Sequence, residues 1–279
     1  MGARAGVSGS RITSRSRRSI YPETPERGVF GFDHFCALRQ TLPRRGTHPV
    51  CAPLNRQGGA AVLDQKTPNP PAHEVAYRRL REMVLDGELE PGQAVTIQGL
   101  VALLQSGMTP VREAIRRLIA EGGLEFQGNR RVSVPVLDRP RIEELAFARL
   151  ALEPWLAGQA AVRIRPAEIA TLERIDDALN AAIARGDVRA YLRRNYEFHA
   201  RLYAASGATV LTGLVDALWL RMGPSLRVVC GRFGTSNLPD MHESALAALR
   251  AGDAAATEAA IHADISQGFA QIRLSLAAG

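Results

Sequence analysis

The chain has 279 residues, 46% of them hydrophobic and 23% charged, enough for two globular cores with some sequence left over. Its apolar content comes mainly from Ala, Leu, Val and Ile with few aromatics, a mixture that suits packed helices and argues against a large sheet. The formal charge of +7 is no argument for nucleic acid by itself, because the first 70 residues hold 11 Lys+Arg against 4 Asp+Glu and the remainder holds 24 of each.

Residues 1–70 carry Gly, Pro, Ser and Arg in no apolar period, from the arginine cluster at 14–19 to Pro68, Pro70 and Pro71 just beyond, and are expected to be a disordered basic tail or an over-extended start of translation. Cys36, Cys51 and Cys230 are an odd number at no metal or redox spacing, so no disulfide framework or zinc knuckle is expected. With no apolar run approaching 18 residues and no h-region at the amino terminus, the chain reads as cytoplasmic, with no membrane partner.

From Ala72 the pattern becomes periodic. Val75, Leu80, Val84 and Leu85 predict an amphipathic helix that stops at Gly87; a turn follows at Glu90-Pro91-Gly92. Ile97, Leu100, Val101 and Leu104 predict a second short helix ending near Ser106-Gly107. A third is expected to start at Thr109-Pro110, the Thr hydroxyl as cap and Pro at the first helical position, and to end at Gly122-Gly123. Residues 124–127 and 131–134 read as a hairpin around Gly128-Asn129-Arg130. Three helices and a hairpin in residues 71–136 outline a winged helix-turn-helix. A linker at 137–140 leads to an antiparallel α-helical bundle over 141–276, with Gly-Asp punctuation at 186–187 and 252–253, each Asp able to cap the next helix. Pro224 to Leu238 reads as a broken helix plus loop. The fold class is therefore mainly α.

In a helix-turn-helix, the first turn of the recognition helix offers donors to base edges while its inner face packs. Val111, Ala114, Ile115 and Leu118 share one face of the third helix; Thr109, Arg112 and Arg116 fall largely on another. A guanidinium at 112 could contact guanine, though by composition alone a solvated surface helix is as good a reading. The run Met108-Thr109-Pro110-Val111-Arg112-Glu113-Ala114, with Leu100 ahead and Glu121-Gly122 and Asn129-Arg130 behind, resembles the signature of the GntR family of regulators over residues 74–136. The resemblance implies contacts to double-stranded DNA from Thr109, Pro110 and Arg112 and, in the wing, from Asn129, Arg130 and Arg131. Many members have Arg where this chain has Met108, and a Gly-Val-Ser turn where it has Gln105-Ser106-Gly107. A methionine offers only apolar contact, for instance to a thymine methyl.

The bundle holds His199, His242 and His262. Asn195 and His199 share a helix face, and the other two could converge on it; each histidine could equally be an isolated, hydrogen-bonded polar residue. Arg149-Leu150-Ala151-Leu152-Glu153-Pro154, Asn195 to His199, Met241-His242-Glu243, Ala251-Gly252-Asp253 and Ala260-Ile261-His262 resemble the FCD effector domain of the FadR subfamily of GntR regulators. That resemblance implies a divalent metal site (Zn, Ni or Mn) at Asn195, His199, His242 and His262, a small carboxylate effector, and a homodimer on a palindromic operator. Arg149 is a candidate for pairing with the effector, or else a structural ion-pair partner of a bundle acid.

A repressor released by its effector is the reading favoured. A metal-dependent hydrolase built on three imidazoles is the alternative, but no His-Glu-x-x-His helix, Gly-x-Ser-x-Gly elbow or phosphate loop is present. A DNA-binding dimer without an effector is the other. The single lysine, Lys66, lies in the tail, which excludes members with an aminotransferase-like domain. No enzymatic activity is expected.

Overall fold

The computed structural model describes residues 70–128, 131–233 and 240–277, so the expected basic tail and the wing residues Asn129 and Arg130 lie outside the described residues. Helix α1 spans Ala72–Leu85, α2 Ile97–Leu104 and α3 Met108–Glu121, followed by β2 (Glu125–Gln127) and β3 (Arg131–Ser133). A two-residue strand β1, Ala94–Val95, escapes the sequence pattern and pairs antiparallel with β3, giving the sheet order β1-β3-β2. The register places Val95 and Phe126 on either side of Val132.

The start of α3 departs from expectation. Gly107 is its N-cap, without a side-chain hydrogen bond, and Thr109 lies inside the first turn instead of capping it. Pro110 fits there because the first N–H groups of a helix have no partner within it. On α2, Thr96 is the true hydroxyl cap, accepting from the Gly99 N–H at 3.0 Å. Gln105 closes that helix in the left-handed conformation at φ 47°, the one non-glycine residue with positive φ among the described residues.

The bundle comprises α4 (Arg139–Ala161), α5 (Pro166–Ala184), α6 (Val188–Ala204), α7 (Thr209–Phe233), α8 (Met241–Ala251) and α9 (Ala254–Ala277). Asp138, Asp187, Asp240 and Asp253 each accept from the backbone N–H three residues on, which fixes where α4, α6, α8 and α9 begin. Two expectations are corrected. The helix starts inside the stretch 137–140 expected as linker, because Asp138 caps it, and α7 continues through Pro224 to Phe233 where a break was expected. A proline removes one hydrogen bond from a helix without necessarily ending it.

The winged part and the bundle share one core. Tyr77, Leu80, Met83 and Val84 of α1 are buried, and α1 packs against α3, α6 and α7. Helix α7 approaches α1 so closely at Gly223 that a Cβ there would stand 3.1 Å from the Leu85 Cα. Helices α4 and α9 pack side by side, with Ile261, Ile265, Phe269 and Ile272 as the buried stripe of α9.

Candidate functional site

Two constellations follow from this arrangement. The first lies on the outer face of α3. Val111, Ala114, Ile115 and Leu118 are buried, which turns Thr109, Arg112 and Arg116 outward; Pro110 is half-buried. Arg116 pairs with Glu113, whereas Arg112 has no ion-pair or hydrogen-bond partner among the described residues. Arg131 of β3 is exposed. Thr109, Arg112, Arg116 and Arg131 line a groove of about 810 Å³ between the start of α2, the start of α3 and the sheet, with Met108 and Phe126. A surface that presents an unpaired guanidinium at the start of a helix matches the demands of base readout.

The second constellation is inside the bundle. His199 on α6 is fully buried and His242 on α8 is nearly so, and their Nε2 atoms are 3.3 Å apart. The third member is Asp264 on α9, its carboxylate 3.2 Å from His199 Nε2 and 4.0 Å from His242 Nε2. The expected ligand His262 is not with them: it is exposed, within 3.5 Å of Ser266 Oγ. Two residues apart on a helix point to nearly opposite sides, so only one of 262 and 264 can face the core. The stripe Ile261, Ile265, Phe269 selects 264, a signal that was legible in the spacing. Asn195 borders the cluster, lining with Asp264, Arg149 and Trp219 a small cavity of about 80 Å³.

The supporting residues fix the protons. The Tyr203 hydroxyl donates to Glu153 at 2.7 Å, and His199 Nδ1 is 2.9 Å from the same hydroxyl oxygen. A carboxylate only accepts, so the one Tyr203 hydrogen goes to Glu153 and His199 Nδ1–H donates to Tyr203. His242 Nδ1 likewise donates to Asp176 at 2.9 Å. With both rings neutral, each imidazole therefore turns an Nε2 lone pair inward, towards the other ring and towards the Asp264 carboxylate. Three converging donor atoms can hold a cation between them, and an imidazole–imidazole–carboxylate set with a carboxylate behind one ring is a donor set that divalent zinc, nickel or manganese accepts. The residues thus fit a metal ion.

Without a metal the same three groups share protons instead. Burial drives the His199 pKa down, against the pull of Asp264. Burial also opposes charge on His242, but the hydrogen bond to Asp176 and the charges of Asp264 and Asp176 outweigh it and the pKa rises. Asp264 is held at about 2: burial pushes it up, and the His199 hydrogen bond and the charges of both imidazoles and Arg149 more than reverse that.

Arg149 is 3% exposed and forms a two-pronged pair with Glu153, its guanidinium 4.0 Å from the Trp219 ring and its Nη1 3.1 Å from Met222 Sδ. The ion-pair reading of Arg149 is therefore realised, while the residue also lines the cavity. Asp176, Glu153, Tyr203 and Trp219 were not singled out from sequence. An acid within the apolar run Leu172, Ile175, Leu179, and a Tyr four residues after His199, are the signals that pointed to the first and third.

Residues 72–134 match the family described as bacterial regulatory proteins, gntR family, and residues 144–267 match the FCD domain. The McbR regulator of Escherichia coli is 28% identical over 177 residues, which are 62% of this chain and 80% of that protein. The repressor RspR of the same organism is 24% identical, covering 76% of this chain and 95% of its own length. The solved structure of E. coli McbR superposes with a TM-score of 0.68 at 25% identity, over 73% of this chain and 98% of that one.

Proposed function

The chain belongs to the GntR family of bacterial transcription regulators and carries an FCD domain behind its DNA-binding module, and from that premise we propose that it is a repressor released from a palindromic operator by a small carboxylate. It is a regulator and not an enzyme. Residues 71–136 read DNA in this proposal and residues 141–276 sense the ligand, in the manner of the FadR subfamily that the motifs resemble. Two copies would place two recognition helices on successive half-sites. Phe147, 77% exposed, and Trp155, 44% exposed, give α4 an outward apolar face suited to a second copy. Action on an operator would require a cytoplasmic protein, and no helix among the described residues is long and apolar enough to cross a membrane.

His199, His242 and Asp264 would hold the metal ion, with Asn195 at its edge. When bound, the ion supplies a Lewis-acidic centre that attracts a carboxylate. The cavity of about 80 Å³ suits a small ligand. Arg149 and Asn195 line this space with hydrogen-bond donors, and Trp219 and Met222 close it with apolar surface.

The observation that carries a regulatory reading is what α7 touches. Trp219 donates to Glu153 at 3.2 Å and its ring lies 5.0 Å from the His199 ring, while Met222 contacts Arg149. On the other side Leu220 abuts Gly123, Arg221 donates to the Glu121 carbonyl at 3.2 Å at the end of the recognition helix, and Gly223 lies on α1. Residues 219–223 thus border the cavity and the DNA-binding module at once. A ligand that prefers one position of α7 would shift the reading helices relative to their half-sites.

Metal analysis of purified protein tests the first step. We expect about one ion per chain, lost in H199A/H242A. Unchanged metal content in that variant would exclude the site. If metals and organic acids give no thermal shift while operator binding persists, the protein is a DNA-binding dimer without an effector.

A further inference from the structure

The groove beside α3 is not uniformly polar. Met108 opens the helix and is 48% exposed, and Phe126 of β2 is 63% exposed; both line the groove that holds Arg112, Arg116 and Arg131. Met108 and Arg112 are four residues apart and so share a face. Two large apolar side chains left in water gain nothing from folding, and here they sit among three cations on the face read as DNA-binding. In the major groove of duplex DNA the apolar feature on a base edge is the thymine methyl.

We infer that Met108, with Phe126 beside it, reads a thymine methyl close to the base pair contacted by Arg112, so that thymine is specified within each half-site. The inference rests on the assignment of this face as the DNA-reading surface. Four helical residues rise about 6 Å, and base pairs are about 3.4 Å apart, which puts the thymine roughly one or two pairs from the one that Arg112 reads. The contact is apolar, so leucine should replace methionine and alanine should not.

The test uses full-length protein. Operator sequence is first recovered by selection from random duplex DNA, and each thymine of one half-site is then replaced by deoxyuridine, which removes the methyl alone. For the wild type we expect one position where the replacement weakens binding roughly fourfold, the effect of one buried methyl group. The loss should persist in M108L and vanish in M108A, with F126A intermediate. A methyl effect that survives in M108A, or no thymine whose methyl matters, overturns the inference while leaving the DNA-reading face intact. Should R112A bind the selected site as well as the wild type does, the face itself is misassigned and the inference falls with it.

Discussion

At the scale of single residues, the protein combines an arginine kept free with two buried histidines whose pKa values are pushed in opposite directions. Arg112 lacks an internal partner among the described residues, and its neighbours Arg116 and Arg117 are both paired with acids, so under the proposed reading truncation at 112 removes a DNA contact and no internal one. R112A should bind the selected operator more weakly by about 1 to 3 kcal/mol per half-site, measured by fluorescence anisotropy, with the circular dichroism spectrum unchanged. In the bundle, metal and proton compete for the same lone pairs. The pKa of His242 is raised, so protonation begins to displace metal above the ordinary histidine value of about 6.5. Metal affinity should therefore fall as pH drops from 8 to 6, read by competition with a chelating dye. Replacing Asp176 by Asn removes the hydrogen-bonding carboxylate among those that raise it and should move that fall to lower pH.

At the scale of elements, what was legible in the sequence is what is made by local chemistry. Asp187 and Asp253 after glycine mark the starts of α6 and α9, and each cap accepts its backbone N–H as expected. Strand β1 was not legible because two residues carry no period, and it exists only through its pairing with β3. Nor was the passage of α7 through Pro224, since local preference argues for a stop there and the packing of α7 on α1, α4, α6 and α9 overrides it. For the cluster, the two histidines on α6 and α8 were legible from motif, and the third donor was misplaced by two residues until the buried stripe of α9 chose Asp264. Gln105 yields a further expectation. Holding a residue with a Cβ in the left-handed region costs about 1 kcal/mol, so Q105G should raise stability by up to about 1 kcal/mol in urea denaturation, the gain being reduced by the greater chain entropy of glycine. At Gly223 the sign is opposite. A methyl there meets the Leu85 Cα at 3.1 Å and the Val84 carbonyl oxygen at 3.2 Å, so G223A should cost about 1 to 3 kcal/mol and disturb the seat of the DNA-binding module.

At the scale of the whole molecule, the winged module and the bundle are packed on one another among the described residues. Arg193 pairs with Asp86 at 2.7 Å, and Arg81 reaches Tyr196 at 2.9 Å and Asp216 at 3.1 Å, so α1 is tied to α6 and α7 by charge as well as by core packing. Tyr196 in turn sets its ring edge-on to Trp219 at 5.7 Å, one side chain from the imidazole cluster. A change at the cluster therefore meets packed side chains all the way to the DNA-binding helices. The measurement that tests this coupling most directly is the operator Kd of zinc-loaded full-length protein, by anisotropy, across a panel of small carboxylates. The account predicts at least one acid that weakens wild-type binding severalfold and leaves H242A unaffected. An identical response in H242A, or no response to any acid in the wild type, would contradict it.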